Sequence, residues 1–228
     1  MRKRLYCTIF LPTIAYAAAA WHRSLDWKRN RDRLEGAQRT ALIWTCSAYC
    51  TVSKEQALLL ANEPPISLIV KKATSLHQTK MRNSSNLPEM RKKHEQRILE
   101  AMDNLQTGAL IRSVSLQSEA DRGELVNYWT SQFLTGHGAF RGYLHRFGLA
   151  ESPICRFCML GAVETPNHIL FICEQFDDIR AELLENSSIH GCHSGGKAYL
   201  SEEEIRNFTT FCKTYLNPKQ YLGNNLSD

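Results

Sequence analysis

The sequence predicts a mainly α-helical protein with a small metal-binding module in its second half. Three observations carry that expectation. Apolar residues recur at three- and four-residue spacing along most of the chain, and strictly alternating runs are few. Ser and Thr start signals and Pro or Gly stop signals punctuate those stretches. Three cysteines and one histidine fall within the nineteen residues from Cys155 to Cys173, as the ligands of one metal ion do. A chain of 228 residues can bury a core as one large domain or two small ones. With 43% hydrophobic and 22% charged residues, wholesale disorder is excluded.

Residues 5–22 read as a buried helix with a tyrosine and alanine face. Residues 26–48 place Leu34, Ala37, Ala41, Leu42 and Trp44 at roughly helical spacing, opposite a basic face. Ser53 and Gln56 form a capping-box pattern ahead of Ala57 to Leu60, and Pro64-Pro65 stops that helix. Ile66 to Leu76 is helical again, and the polar stretch 77–88 reads as a linker. Pro88 opens a charged helix over 89–106. A helix from about Ser118 to Leu134 follows, with Leu125, Tyr128, Trp129 and Phe133 on one stripe. Thr135-Gly136-His137-Gly138 breaks it, and residues 139–148 restart a helix that ends at Gly148. Beyond the metal module lie an amphipathic helix, Gln175 to Leu184, a Ser/Gly-rich stretch and a weakly helical segment, 202–215. The expected divisions are a helical region 1–80, a linker and charged helix 81–117, a helix pair with the metal module 118–190, and a weakly ordered tail 191–228.

Charge is unevenly placed. Residues 1–100 hold 18 Lys/Arg against 8 Asp/Glu, or +10, and residues 101–228 hold 10 against 15, or −5. A basic first half suits a polyanionic partner, and it equally suits a solvated surface. Arg2-Lys3-Arg4 followed by apolar Leu5 to Ala20 imitates a signal peptide, and three Asn-x-Ser/Thr triplets, starting at Asn83, Asn186 and Asn207, would suit secretion. The apolar run is too short for a comfortable membrane span.

The metal pattern is Cys155-x2-Cys158, nine residues, His168, four residues, Cys173. Zinc takes four soft or borderline ligands in a tetrahedron, and three thiolates with one imidazole supply them. A Cys-x2-Cys pair sits on a tight turn with both sulfurs facing one point. His168 and Cys173, five apart, lie about 140° apart around an ideal helix, so they cannot share one regular helix. The expectation is a short turn capped by Thr165, with Pro166 at its first position, carrying His168 and ending before Cys173. Four protein ligands leave no open position, so one zinc ion here is structural. Its binding contributes roughly 10–16 kcal/mol in apparent terms.

Two basic surfaces are candidate nucleic-acid contacts. Lys28, Arg29, Arg31, Arg33 and Arg39 lie on or near one helix. Arg141, Arg146 and Arg156 surround the metal module, with His137, Tyr143 and His145 among them. Guanidinium forks bind phosphates, and rings can stack on bases. Solvated helix faces are the bland alternative. Phe176-Asp177-Asp178 imitates the aromatic-x-Asp-Asp box of polymerases, but it lacks the intervening residue and a strand–turn–strand frame, so it is set aside. No Gly-rich phosphate loop and no Ser/His/Asp set is present.

Several runs resemble one family. Phe133-Leu134-Thr135-Gly136-His137-Gly138-Ala139-Phe140, then Tyr143-Leu144-His145-Arg146-Phe147, resemble the stretch before the zinc knuckle in non-LTR (LINE-type) retrotransposon reverse transcriptases of insects. Ser152-Pro153-x-Cys155-x2-Cys158 and Glu164-Thr165-x2-His168-x-Leu170-Phe171-x-Cys173 continue the likeness. Upstream, Phe10 to Tyr16, Trp21, Gln38-Arg39, Tyr49-x-Thr51-Val52-Ser53 and Pro64-Pro65 resemble the thumb that follows the polymerase palm. The likeness covers about residues 5–185 and points to the type-1 elements inserted in insect ribosomal DNA.

The resemblance implies a thumb-like helical region over 1–80 and a CCHC zinc knuckle at Cys155, Cys158, His168 and Cys173. It implies the C-terminal part of a Pol polyprotein, an RNA-directed DNA polymerase and endonuclease. The implied partners are RNA and/or DNA (element RNA and target DNA) and the palm and endonuclease parts that this chain lacks, with no membrane. The polymerase's catalytic aspartates are absent, so the fragment is expected to be inactive alone. The signal-like run becomes the thumb's opening helix, which implies nucleus or cytoplasm rather than secretion. The nine-residue gap before His168 exceeds the four of retroviral nucleocapsid knuckles, so their RNA-binding mode is not implied. The alternative reading is a non-catalytic helical protein–protein scaffold stapled by zinc.

Overall fold

The computed structural model describes residues 2–82, 86–105, 110–116, 125–193 and 197–217. The Asn83 triplet, the Ser118 cap and the last eleven positions lie outside the described residues. The chain divides into two compact units, one of residues 1–46 with 52–107 and one of 47–51 with 108–228.

The first unit is all helix. It opens with α1 (Arg2–Leu5), a π-helical turn (Tyr6–Phe10) and α2 (Leu11–Ala15). Pro12 has no N–H to offer the carbonyl four residues back, and the turn before it widens, with Leu11 N–H bonding Tyr6 O. Ala17 is left-handed at φ 50, which costs a residue with a β-carbon and ends the segment. The helix then resumes as α3 (Ala18–Trp21) and a 3₁₀ turn (His22–Asp26). The expected continuous buried helix over 5–22 is therefore broken. Only Tyr6 and Ala18 of it are buried, while Leu5, Ile9 and Tyr16 are exposed.

Four longer helices follow: α4 (Lys28–Cys46), α5 (Lys54–Ala61), α6 (Ile66–Met81) and α7 (Leu87–Asp103). The Ser53/Gln56 capping box is formed in both directions. Asn62, left-handed at φ 53, ends α5 before the two prolines are reached. α6 runs on to Met81, into the polar stretch 77–88 read as linker, because its outer face needs only solvent. α7 packs along α6, with Lys72 Nζ 3.1 Å from Glu95 Oε1. Ala18, Leu25, Ile66 and Val70 form a buried cluster against which Phe10, Ile14, Trp21 and Leu34 pack.

Buried Gln38 joins three parts of this unit. Its amide nitrogen donates to Tyr6 Oη (2.9 Å) and Pro64 O (2.8 Å), and its oxygen accepts from Ile66 N–H (2.8 Å), the first N–H of α6. Beside it, buried Glu35 accepts from Lys54 Nζ and Ser67 Oγ, each at 2.8 Å.

The second unit contains a 3₁₀ turn (Leu110–Arg112), β1 (Val114–Leu116), α8 (Tyr128–Thr135), α9 (Arg141–His145), α10 (Pro166–Phe171), α11 (Asp177–Leu184), a 3₁₀ turn (Ser188–Cys192), β2 (Ala198–Leu200) and α12 (Glu202–Leu216). β1 and β2 pair in parallel, with Val114 opposite Ala198 and Leu116 opposite Leu200. α8 starts afresh at an Asn127 cap, whose side chain accepts from Trp129 and Thr130 N–H. The core is aromatic. Phe133 packs edge-on against Phe140, Phe208, Phe211 and Tyr215, and Phe140 stacks on Tyr215.

Within the stretch 191–228, expected to be weakly ordered with a weak helix over 202–215, α12 is a regular helix over Glu202–Leu216. Ser201 and Glu204 form a capping box, and Ile205, Phe208, Phe211, Cys212 and Tyr215 are buried along one face. In helical proteins such burial stabilises an element far more than intrinsic propensity does. Among the described residues, no helix is long and apolar enough to cross a membrane.

Replacing Gln38 by Leu keeps the volume but strands the Pro64 carbonyl and the Ile66 N–H in an apolar interior. The expected loss is about 3 kcal/mol in urea unfolding of the full chain. A change under about 0.5 kcal/mol would contradict this role for Gln38.

Candidate metal centre

The segment 153–164 folds back on itself. Cys155 N–H donates to Ala162 O (2.8 Å), Glu164 N–H donates to Pro153 O (2.9 Å), and Ile154 bridges Val163 in antiparallel sense. Gly161, at φ +66, supplies the left-handed residue that the return needs. Part of the nine-residue gap between Cys158 and His168 is thus the returning arm of this hairpin. Thr165 then caps α10 by accepting His168 N–H on its Oγ1 (3.2 Å), with Pro166 in the first turn, as the sequence predicts. The helix stops short of Cys173, whose N–H turns back to His168 O (2.8 Å).

These local structures bring Cys155, Cys158, His168 and Cys173 together, with one donor atom from each lying within 4.8 Å of all the others. Cys155 Sγ is 3.9 Å from Cys173 Sγ, and Cys158 Sγ is 3.3 Å from His168 Nε2. A tetrahedral zinc with Zn–S of about 2.3 Å and Zn–N of about 2.0–2.1 Å requires separations of about 3.8 Å and about 3.6 Å. The sulfur separation is also nearly twice the roughly 2.05 Å of a disulfide. His168 Nδ1 is buried and meets no hydrogen-bond partner among the described residues. The donor set and its spacing fit one tetrahedral metal ion.

Cys155, Cys173 and His168 are buried and Cys158 is half-buried. Burial pushes the Cys155 thiol up, and burial with the neighbouring thiols pushes Cys173 up to about 12. Burial holds His168 below the usual imidazole range, opposed by the Glu164 charge and aided by that of Arg180. Desolvation therefore disfavours a bare thiolate cluster, and a dication at its centre is the charge that would favour one.

Two residues behind the cluster are given no role by the sequence, although Glu164 stands in the run that carries the resemblance. Glu164 is fully buried. Its Oε1 accepts Arg141 N–H (3.0 Å) and the Tyr215 hydroxyl (2.8 Å), and its Oε2 accepts Arg156 N–H (3.2 Å). Its own carbonyl accepts Gly142 N–H (3.1 Å). A β-carbon on Gly142 would sit 2.8 Å from that carbonyl and 2.7 Å from Val163 Cγ1, which explains the glycine in Arg141-Gly142-Tyr143. The second is Arg180, whose side chain lies under α10. Nothing in periodicity or spacing marks either as buried.

The candidate nucleic-acid residues separate into two groups. Arg29 and Arg33 are exposed one turn apart on α4, and His145 and Arg146 are exposed at the end of α9. Arg141 is half-buried. The rest make polar contacts within the chain, Arg156 while 42% exposed. Arg39 Nε donates to Val52 O (2.8 Å), and the Arg156 guanidinium lies 3.6 Å from Glu164 and 3.4 Å from Ala139 O. Tyr143 is buried, with its hydroxyl 2.5 Å from Thr51 Oγ1, and Nδ1 of half-buried His137 lies 3.1 Å from that same Thr51 Oγ1. Asp177 and Asp178 open α11, where Asp177 pairs with Arg180.

If the four donors form one centre, cobalt(II) added to the reduced full chain produces the visible bands of a tetrahedral three-sulfur site, saturating at one metal per chain. Zinc then displaces it. Cys158→Ser lowers the band intensity and weakens binding by at least tenfold. Stoichiometric binding unaltered by that substitution would place the metal elsewhere.

Comparison with known proteins adds a relationship. The Retrovirus-related Pol polyproteins from type-1 retrotransposable elements R1 4 and R1 2 of Nasonia vitripennis are each 27% identical to this chain. The aligned stretches are 201 and 210 residues, covering 79% and 82% of the chain and 50% of each relative. The Pol polyprotein from element R1 of Bradysia coprophila is 26% identical over 205 residues, 77% of the chain and 19% of that protein. The chain spans about half the length of the first two curated relatives. No protein-family model matches it, and no solved structure does. Over roughly four fifths of its length, the chain is a homologue of the Pol polyproteins of insect type-1 R1 retrotransposable elements.

Proposed function

We propose that this chain is the thumb-to-knuckle part of a retrotransposon Pol polyprotein, binding nucleic acid through basic helices and a module closed by one structural zinc ion. The observation that carries the reading is the convergence of Cys155, Cys158, His168 and Cys173 in a homologue of Pol polyproteins. Zinc supplies no reaction chemistry here. With four protein ligands it has no open position, and it cross-links the hairpin 153–164 to α10 and the turn after it.

The contacting side chains are Arg29 and Arg33 on α4, Arg141 and His145 on α9, and Arg146, which follows α9 and lies over the Tyr143 ring. Arg39, His137 and Tyr143 make polar contacts within the chain, and Arg156, exposed beside Glu164, is a further contact candidate. Contacts of this kind are mainly to phosphates, so affinity depends strongly on salt and weakly on sequence. In the whole polyprotein these surfaces hold element RNA and target DNA beside the polymerase and endonuclease parts, in nucleus or cytoplasm. The chain itself carries no polymerase aspartates and is inactive alone.

Fluorescence anisotropy with a labelled single-stranded oligonucleotide tests this. With about four phosphate contacts, affinity falls about 50-fold between about 50 and 200 mM salt. Arg29→Gln with Arg33→Gln lowers the slope of log K against log salt by about 1.4, and Arg146→Gln lowers it by about 0.7. Binding that is absent at low salt, or a slope indifferent to all three substitutions, would overturn the proposal.

A further inference from the structure

Arg180 is the only lysine or arginine among the described residues that is buried. Burying a guanidinium is costly unless its hydrogen bonds and its charge are both met. The hydrogen bonds are met, since Nη1 donates to Ile169 O (3.1 Å) and Nη2 donates to Cys173 O (2.8 Å). Those carbonyls belong to the residue after His168 and to Cys173 itself. The charge is poorly met. The only carboxylate paired with it among the described residues is Asp177, whose side chain is 64% exposed against 10% for Arg180, so water screens that attraction.

The metal cluster beside it has the opposite need. One zinc ion with three thiolates and a neutral imidazole carries a net charge of −1, largely out of water. Fully buried Glu164 adds another negative charge nearby, and its own cation, Arg156, is 42% exposed.

We infer that Arg180 is the counter-charge and clamp of the metal centre, a positioning residue that favours the thiolate-rich, zinc-bound state. Its fork holds the two carbonyls that fix the spacing of His168 and Cys173, and its charge offsets that of the metal–thiolate cluster. The inference rests on the zinc reading above and extends it from the four ligands to the group that stabilises them.

The test is a chelator-competition measurement of zinc affinity on the reduced full chain. Two variants separate the two roles. Arg180→Gln keeps N–H donors without charge, and Arg180→Lys keeps charge without the fork. The expected result is a 10–100-fold weaker affinity for the Gln variant, the range typical when a metal ligand's outer partner is lost, and less than tenfold for the Lys variant. In the cobalt form, the thiolate-to-metal band moves to lower energy in Arg180→Gln, because a nearby cation no longer stabilises the sulfur lone pairs. It holds its position in Arg180→Lys.

An affinity for Arg180→Gln within threefold of the parent chain overturns the inference, as does a Lys variant as weak as the Gln variant. If the metal-saturated Gln variant does not fold, the Lys variant decides. Affinity within tenfold and an unmoved band support the inference, and a larger loss or a moved band overturns it. Failure of the parent chain to bind metal stoichiometrically would instead remove the zinc reading itself, and this inference with it.

Discussion

The second unit depends on one buried carboxylate. Glu164 receives the backbone N–H groups of Arg141 and Arg156 and the hydroxyl of Tyr215, and so joins the start of α9, the Cys155 turn and the last turn of α12. In sequence it also lies between two of the candidate ligands, Cys158 and His168, and immediately precedes the Thr165 cap of α10. Removing such a group takes the acceptor from the Arg141 and Arg156 N–H groups, at a cost of about 1–3 kcal/mol for each donor left unsatisfied, and leaves the Tyr215 hydroxyl with Ala139 O. Packing around it follows from this fixed point. Tyr215 can occupy the centre of the aromatic core because its hydroxyl has a buried acceptor, and Gly142 is required because the Glu164 backbone comes too close for a side chain.

The module is thus a set of nested constraints rather than four ligands on a flexible loop. The hairpin 153–164 presents Cys155 and Cys158, α10 presents His168, and the turn after it presents Cys173. Each piece is held by backbone hydrogen bonds before any metal is considered. A metal ion would then join pieces already close to tetrahedral geometry, which lessens the ordering cost of binding. Buried thiols resist ionisation in such a setting, and the balance between cation and thiolate charge decides the affinity.

Much of this was legible in the sequence, and the illegible parts share a physical cause. The ligand set, the Thr165-Pro166 start of α10 and the Ser53/Gln56 box were readable because local geometry dictates them. The break in the first helix was hidden, since Pro12 can also sit in the first turn of a helix. The strength of α12 was hidden because its apolar face gains from a core assembled from distant residues, Phe133 and Phe140 among them. Glu164 and Arg180 look like ordinary surface charges in one dimension, and only tertiary structure shows them inside. For the same reason Arg39 and Tyr143 read as surface contacts although each also makes a hydrogen bond within the protein.

The exposed arginines and the metal module suit a nucleic-acid-handling part of a larger polyprotein, and the whole account turns on the identity of the metal's ligands. X-ray absorption at the zinc edge of the zinc-loaded, reduced chain tests that most directly. The account predicts a first shell of three sulfurs at about 2.3 Å and one nitrogen at about 2.0–2.1 Å, with the outer-shell scattering of an imidazole ring. A shell of mixed oxygen and nitrogen, or one with fewer than three sulfurs, would contradict it.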